Sequence, residues 1–159
     1  MRVYHGTSSI VDLKIFSGNP VDVERVFRDS NASLGGTYVT KDRALAEIYA
    51  DHTTRALGGH PVVYELEVSS SDLFPDEDWV VEGARAPRLG SRLQKFMDDL
   101  FIGYPGEGFS LSDHYKERYE ELNRRHGITW KDSWKWSGTA RLEKVIRPEM
   151  VVEVKTRNN

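Results

Sequence analysis

Strand-like segments stand at both ends of this chain with helix-like segments between them, and that order limits the fold more than any other feature. Arg2 to His5 reads as a short strand. Pro61 to Val68 is the clearest one: beyond Val63 it alternates, with Tyr64, Leu66 and Val68 on one face and Glu65 and Glu67 on the other. Thr139 to Ile146 and Met150 to Val154 close the chain as strands around an Arg147-Pro148-Glu149 turn. Between them, Ala44, Leu45, Ile48 and Tyr49 recur at helical spacing, with Thr40 as N-cap, Asp42 in the first turn and Gly58-Gly59 as the stop. Leu89, Leu93, Phe96, Met97, Leu100 and Phe101 form a second amphipathic stripe. A Gly103, Pro105, Gly106 break follows, and Ser112 caps a third helix that turns Tyr115, Tyr119 and Leu122 inward and stops at Gly127. The expected class is α+β, as one domain over residues 1–159 in which 85–130 form a helical insertion. Arg28 to Gly36 reads as a polar loop, and Asp72 to Asp78 as a solvated acidic loop rather than a divalent-cation site.

Composition removes several function classes. The formal charge of −3, from 22 basic and 25 acidic residues, provides no global field for nucleic acid. The absence of cysteine excludes disulfides, thiolate metal sites and cysteine nucleophiles, and fits a reducing cytoplasm. His52, His60, His114 and His126 stand at no metal-binding spacing, so no metal is expected. No apolar run approaches the roughly 18 residues of a membrane span, and Met1-Arg2-Val3-Tyr4 gives no expectation of a leader. Trp130, Trp134 and Trp136 interleave with Lys131 and Lys135. That run reads either as an edge strand packing its indoles against helices, or as a surface that stacks the bases of a nucleic acid.

The chemistry sits in two short motifs. Tyr4-His5-Gly6-Thr7 brings an imidazole and a bare backbone together at a strand end. Gly35-Gly36-Thr37-Tyr38-Val39-Thr40 leads into a helix carrying Tyr49, eleven residues after Tyr38. Two tyrosines so placed suit a flat ligand, although Tyr49 serves almost as well as a core residue of its apolar stripe.

These residues resemble the ADP-ribosyltransferase superfamily, in the His-Tyr-Glu branch that includes the poly-ADP-ribose polymerases. The likeness covers about the first 70 residues, and more weakly Ser133 to Val154, where the chain is similar to small bacterial and phage members. It implies a split, bent antiparallel sheet with flanking helices that holds NAD, as substrate, in an extended cleft. It also implies transfer of ADP-ribose to a macromolecular acceptor, protein or nucleic acid, and leaves open a toxin, a phage effector or a housekeeping enzyme. On this resemblance His5, Gly6, Thr7, Gly36, Tyr38 and Tyr49 bind NAD, and His5, Tyr38 and a glutamate are catalytic. The glutamate belongs near Trp136 to Ala140, where the chain has no acid; Glu143 is the nearest and becomes the candidate. A serine that many relatives carry three residues before the second tyrosine is Ala46 here. Two alternatives stand beside this expectation. One is a weak or inactive NAD/ADP-ribose-binding module of the same fold. The other is an RNA 2′-phosphotransferase-like enzyme, which shares the Tyr-His-Gly-Thr strand and requires several cleft arginines.

Overall fold

A computed structural model describes residues 1–10, 37–76, 90–101, 113–142 and 146–157. In chain order the elements are β1 (Arg2–Ser8), β2 (Thr37–Thr40), α1 (Arg43–Leu57), β3 (Pro61–Glu67), β4 (Leu73–Phe74), α2 (Ser91–Phe101), α3 (Asp113–His126), α4 (Trp130–Trp136), β5 (Thr139–Leu142) and β6 (Val151–Thr156). The expected mixture of strands and helices is present. The six strands form one antiparallel sheet in the order β4-β5-β2-β1-β3-β6. Among the described residues no helix is long and apolar enough to cross a membrane.

The sheet's two halves are joined unequally. β1 and β3 are in register from Arg2 opposite Glu67 to Ser8 opposite Pro61. β1 and β2, by contrast, are in register only at Tyr4 opposite Thr40 among the described residues. Thus β4-β5-β2 and β1-β3-β6 are joined through a single registered pair.

Alternation along the strands sorts side chains onto two faces. On one face Val3, Val39, Val62, Tyr64, Leu66, Leu73, Ala140 and Leu142 form the main core, with Trp130 and Trp134 of α4 packed against it. Tyr64, Leu66 and Val68 are buried and Glu67 is exposed, as the sequence pattern requires; Glu65 is also buried, in an ion pair with Arg2 at 3.0 Å. On the other face α1 presses Ala46 and Ala50 onto Val63 and Tyr4.

α1 corrects the expected stripe. Its buried residues are Ala46 and Ala50, while Ala44, Ile48 and Tyr49 are exposed. The cause lies in β1: a Cβ on Gly6 would stand 1.7 Å from the Ala46 carbonyl oxygen, so helix backbone rests directly on the glycine. Only small side chains fit such an approach, and the larger ones turn outward. The N-cap is Asp42, whose carboxylate accepts from the Ala44 N–H at 2.8 Å, and not Thr40. Thr40 Oγ1 instead donates to the Gly138 carbonyl at 2.8 Å, linking the end of β2 to the turn before β5. Gly58, at φ 83°, closes the helix with its N–H on Thr54 O, in a conformation that strains any side chain.

The tryptophan run is a helix rather than an edge strand. Trp130 and Trp134 are four residues apart and share one face, and the Thr129 N–H donates to the Asp132 carboxylate at 2.9 Å in a reciprocal cap. Arg92 at the start of α2 ties this helix to its neighbours. Its guanidinium meets Asp132 at 2.6 Å and donates to the Gly127 carbonyl beyond α3 at 2.8 Å. α2 and α3 pack through Phe96 and Tyr119, edge to face at 6.0 Å. The Ser112 cap, the Tyr115 side chain and residues 143–145 of the expected penultimate strand lie outside the described residues.

Candidate functional site

His5 follows Tyr4, the β1 residue paired with Thr40 of β2. It is 8% exposed, and its ring stacks on Tyr64 at 6.4 Å with the planes 21° apart. Nδ1 lies 2.8 Å from the Tyr38 carbonyl oxygen. Burial holds the imidazole below its ordinary pKa of 6.5, against a smaller upward pull from the bond to Tyr38. The ring is therefore neutral at pH 7. A carbonyl can only accept, so the single ring proton sits on Nδ1 and Nε2 carries a bare lone pair. Nε2 is buried and has no hydrogen-bond partner. A buried acceptor without a donor costs about 1–3 kcal/mol.

Tyr38 faces the other way. Because Tyr4 opposes Thr40, the pleat places Tyr38 on the face of Tyr4 and His5 on the opposite one. The structure therefore joins the two motifs through His5's side chain and Tyr38's main chain. Across the next pair Tyr38 opposes Arg141, which is 2% exposed and holds its guanidinium 5.7 Å from the Phe74 ring centroid. Neither Arg141 nor the buried Asp76 was expected at the site.

Asp76 corrects the solvated acidic loop. It is 5% exposed, its carboxylate accepts from Thr139 Oγ1, and its N–H donates to Ser133 Oγ at 3.2 Å. Thus a carboxylate does stand at the first residue of β5, supplied by the chain leaving β4. The only sequence signal for it was the apolar pair Leu73-Phe74 just before. Arg141 was legible as a polar residue alternating with Ala140 and Leu142, which are both in the core.

The remaining sequence-derived candidates fall into place as follows. Thr7 is buried on the His5 side of β1. Gly6 is occupied on its side-chain face by α1, which explains the glycine without any ligand. Tyr49 is 44% exposed on α1 and so is not core filler. Gly36 and Glu143 lie outside the described residues. No family model, curated protein or solved structure matches the chain.

Proposed function

We propose that this chain is an NAD-dependent mono-ADP-ribosyltransferase whose NAD site is organised by His5. The observation that carries the reading is the buried Nε2 of an imidazole anchored on Tyr38, without a partner among the described residues and next to the single registered β1–β2 pair. An antiparallel sheet flanked by helices is consistent with the resemblance, and a neutral Nε2 suits a ribose hydroxyl as its donor.

In the reaction the nicotinamide–ribose bond breaks and its electron pair passes to the ring nitrogen, which turns a flat cation neutral. The acceptor's nucleophile then bonds to the ribose carbon and releases its proton. His5 holds a ribose hydroxyl, and so fixes the sugar relative to the breaking bond. Tyr38 and Tyr49 supply aromatic faces for the departing ring, which requires NAD to cross from the His5 face to the α1 face beyond the Tyr4–Thr40 pair. Glu143 is assigned the carboxylate that stabilises positive charge developing on the ribose. Gly6, with α1 packed on its side-chain face, keeps its main chain for the carboxamide that the resemblance assigns to it.

A second reading, NAD or ADP-ribose binding without turnover, is favoured by one observation: the residue opposite Tyr38 is Arg141, a cation, rather than an acid. Incubation with NAD labelled in the ADP-ribose part separates the two. Nicotinamide release with label transfer supports the transferase. Tight NAD binding with no release supports the binding module, and neither binding nor release by folded protein removes both.

A further inference from the structure

The three clustered indoles do different things. Trp130 and Trp134 meet edge to face at 5.6 Å and pack on the core. Trp136, at the end of α4, is 37% exposed and lines a cavity of about 380 Å³. Lys135, Asp132 and the first turn of α2 form the other walls.

The charge of these walls has a definite sign. The Asp132 carboxylate is matched by Arg92 at 2.6 Å. Lys135, which is exposed, makes no hydrogen bond or ion pair among the described residues, so the uncompensated charge in the cavity is positive. Lys131, one turn earlier on the same helix, is also exposed, with its ammonium 5.9 Å from the Trp130 ring centroid. Residues four apart lie on one side of a helix. α4 therefore presents two ammonium groups in line, of which Lys135 shares the cavity with the exposed Trp136 indole, on a chain whose net charge is −3.

We propose that this cavity and the Lys131–Lys135 side of α4 bind single-stranded nucleic acid, with a base stacked on Trp136 and neighbouring phosphates against the two lysines. The chemistry selects this ligand. Lysines attract any polyanion, but only an unpaired base offers a flat face for the indole. A duplex keeps its base faces stacked inside, and an acidic peptide has none. The site does not depend on the transferase reading, since binding is read without NAD.

The test is fluorescence anisotropy with end-labelled ten-nucleotide oligo-dT and oligo-rU, alongside a duplex of the same length and polyglutamate as competitor. Both single strands are expected to bind more tightly than the duplex, with affinity falling as salt rises. Either sugar preference supports the site and tells RNA from DNA. Trp136→Ala is expected to weaken binding by about tenfold or more, the usual cost of one lost base stack. Lys135→Gln is expected to reduce the salt slope by about 0.7. Absence of binding at low salt, unchanged binding by Trp136→Ala, or displacement by polyglutamate as effective as by unlabelled oligonucleotide would each overturn the proposal.

Discussion

His5 is held by the main chain of Tyr38, at 2.8 Å from Nδ1 to the carbonyl oxygen, while the two side chains leave opposite faces of the sheet. The bond fixes both the orientation and the tautomer of the imidazole. It also binds the two halves of the sheet next to their single registered pair. One nitrogen thus serves the fold, and the other is the one the proposed function assigns to a ribose hydroxyl.

That arrangement has a pH signature. His5's folded pKa lies below its ordinary value of 6.5, so below pH 6.5 the unfolded chain takes up more protons than the folded one. Its contribution to stability is complete above pH 6.5 and is lost as pH falls towards the lowered folded value, at up to about 1.4 kcal/mol per pH unit. Urea unfolding at pH 7.5, 6 and 5 is expected to show this loss. His5→Asn, which keeps a donor for Tyr38 O but cannot titrate, is expected to show a smaller slope; an equal slope would assign the effect to other groups.

Among the described glycines, Gly6 leaves the least room for a methyl group. A Cβ there would fall 1.7 Å from the Ala46 carbonyl oxygen, so α1 must lift off the sheet. Gly6→Ala is expected to cost about 3 kcal/mol in chemical unfolding. At Gly90 a Cβ meets nothing within 4 Å, and Gly90→Ala is expected to be near neutral in the same measurement.

The sequence carries much of the sheet, because apolar and polar residues alternate from Tyr64 to Glu67 and from Thr139 to Leu142, although both faces of these strands are buried but for Glu67. It misleads at α1. The stripe Ala44, Leu45, Ile48 and Tyr49 has the right period, yet the buried face is decided by a glycine 40 residues upstream of Ala46 (46 − 6) that admits only alanines. The tryptophan run misleads for a related reason: its helix depends on a Thr129–Asp132 cap that outweighs the strand preference of three indoles. Asp76 was illegible, since an acid between a proline and two more acids looks solvated until β5 and α4 close around it.

Asp76 is expected to be structurally costly to remove. Its carboxylate takes the Thr139 hydroxyl, and Ser133 Oγ in turn takes Asp76's N–H while donating to Thr139 O at 2.9 Å. Asp76→Asn is expected to lower stability by about 1–3 kcal/mol. Thr139→Val should act on the same interaction, so thermal unfolding of the double variant is expected to show less than the sum of the two losses.

Tyr49 separates stacking from packing. With 44% of its surface exposed, Tyr49→Ala is expected to change stability by no more than about 0.5 kcal/mol. On the proposed function the same variant binds NAD about tenfold more weakly, as expected for a lost aromatic stack. Calorimetric titration with NAD checks this; unchanged affinity would remove Tyr49 from the site.

The account's central claim concerns a single atom, His5 Nε2. Nitrogen-15 NMR of histidine-labelled protein, with His5 assigned through the His5→Asn variant, reads that atom directly. Free protein is expected to show the neutral tautomer with its proton on Nδ1, and saturating NAD is expected to move the Nε2 resonance as it accepts a hydroxyl proton. A proton on Nε2 in the free protein, or an Nε2 signal indifferent to saturating NAD, would contradict it.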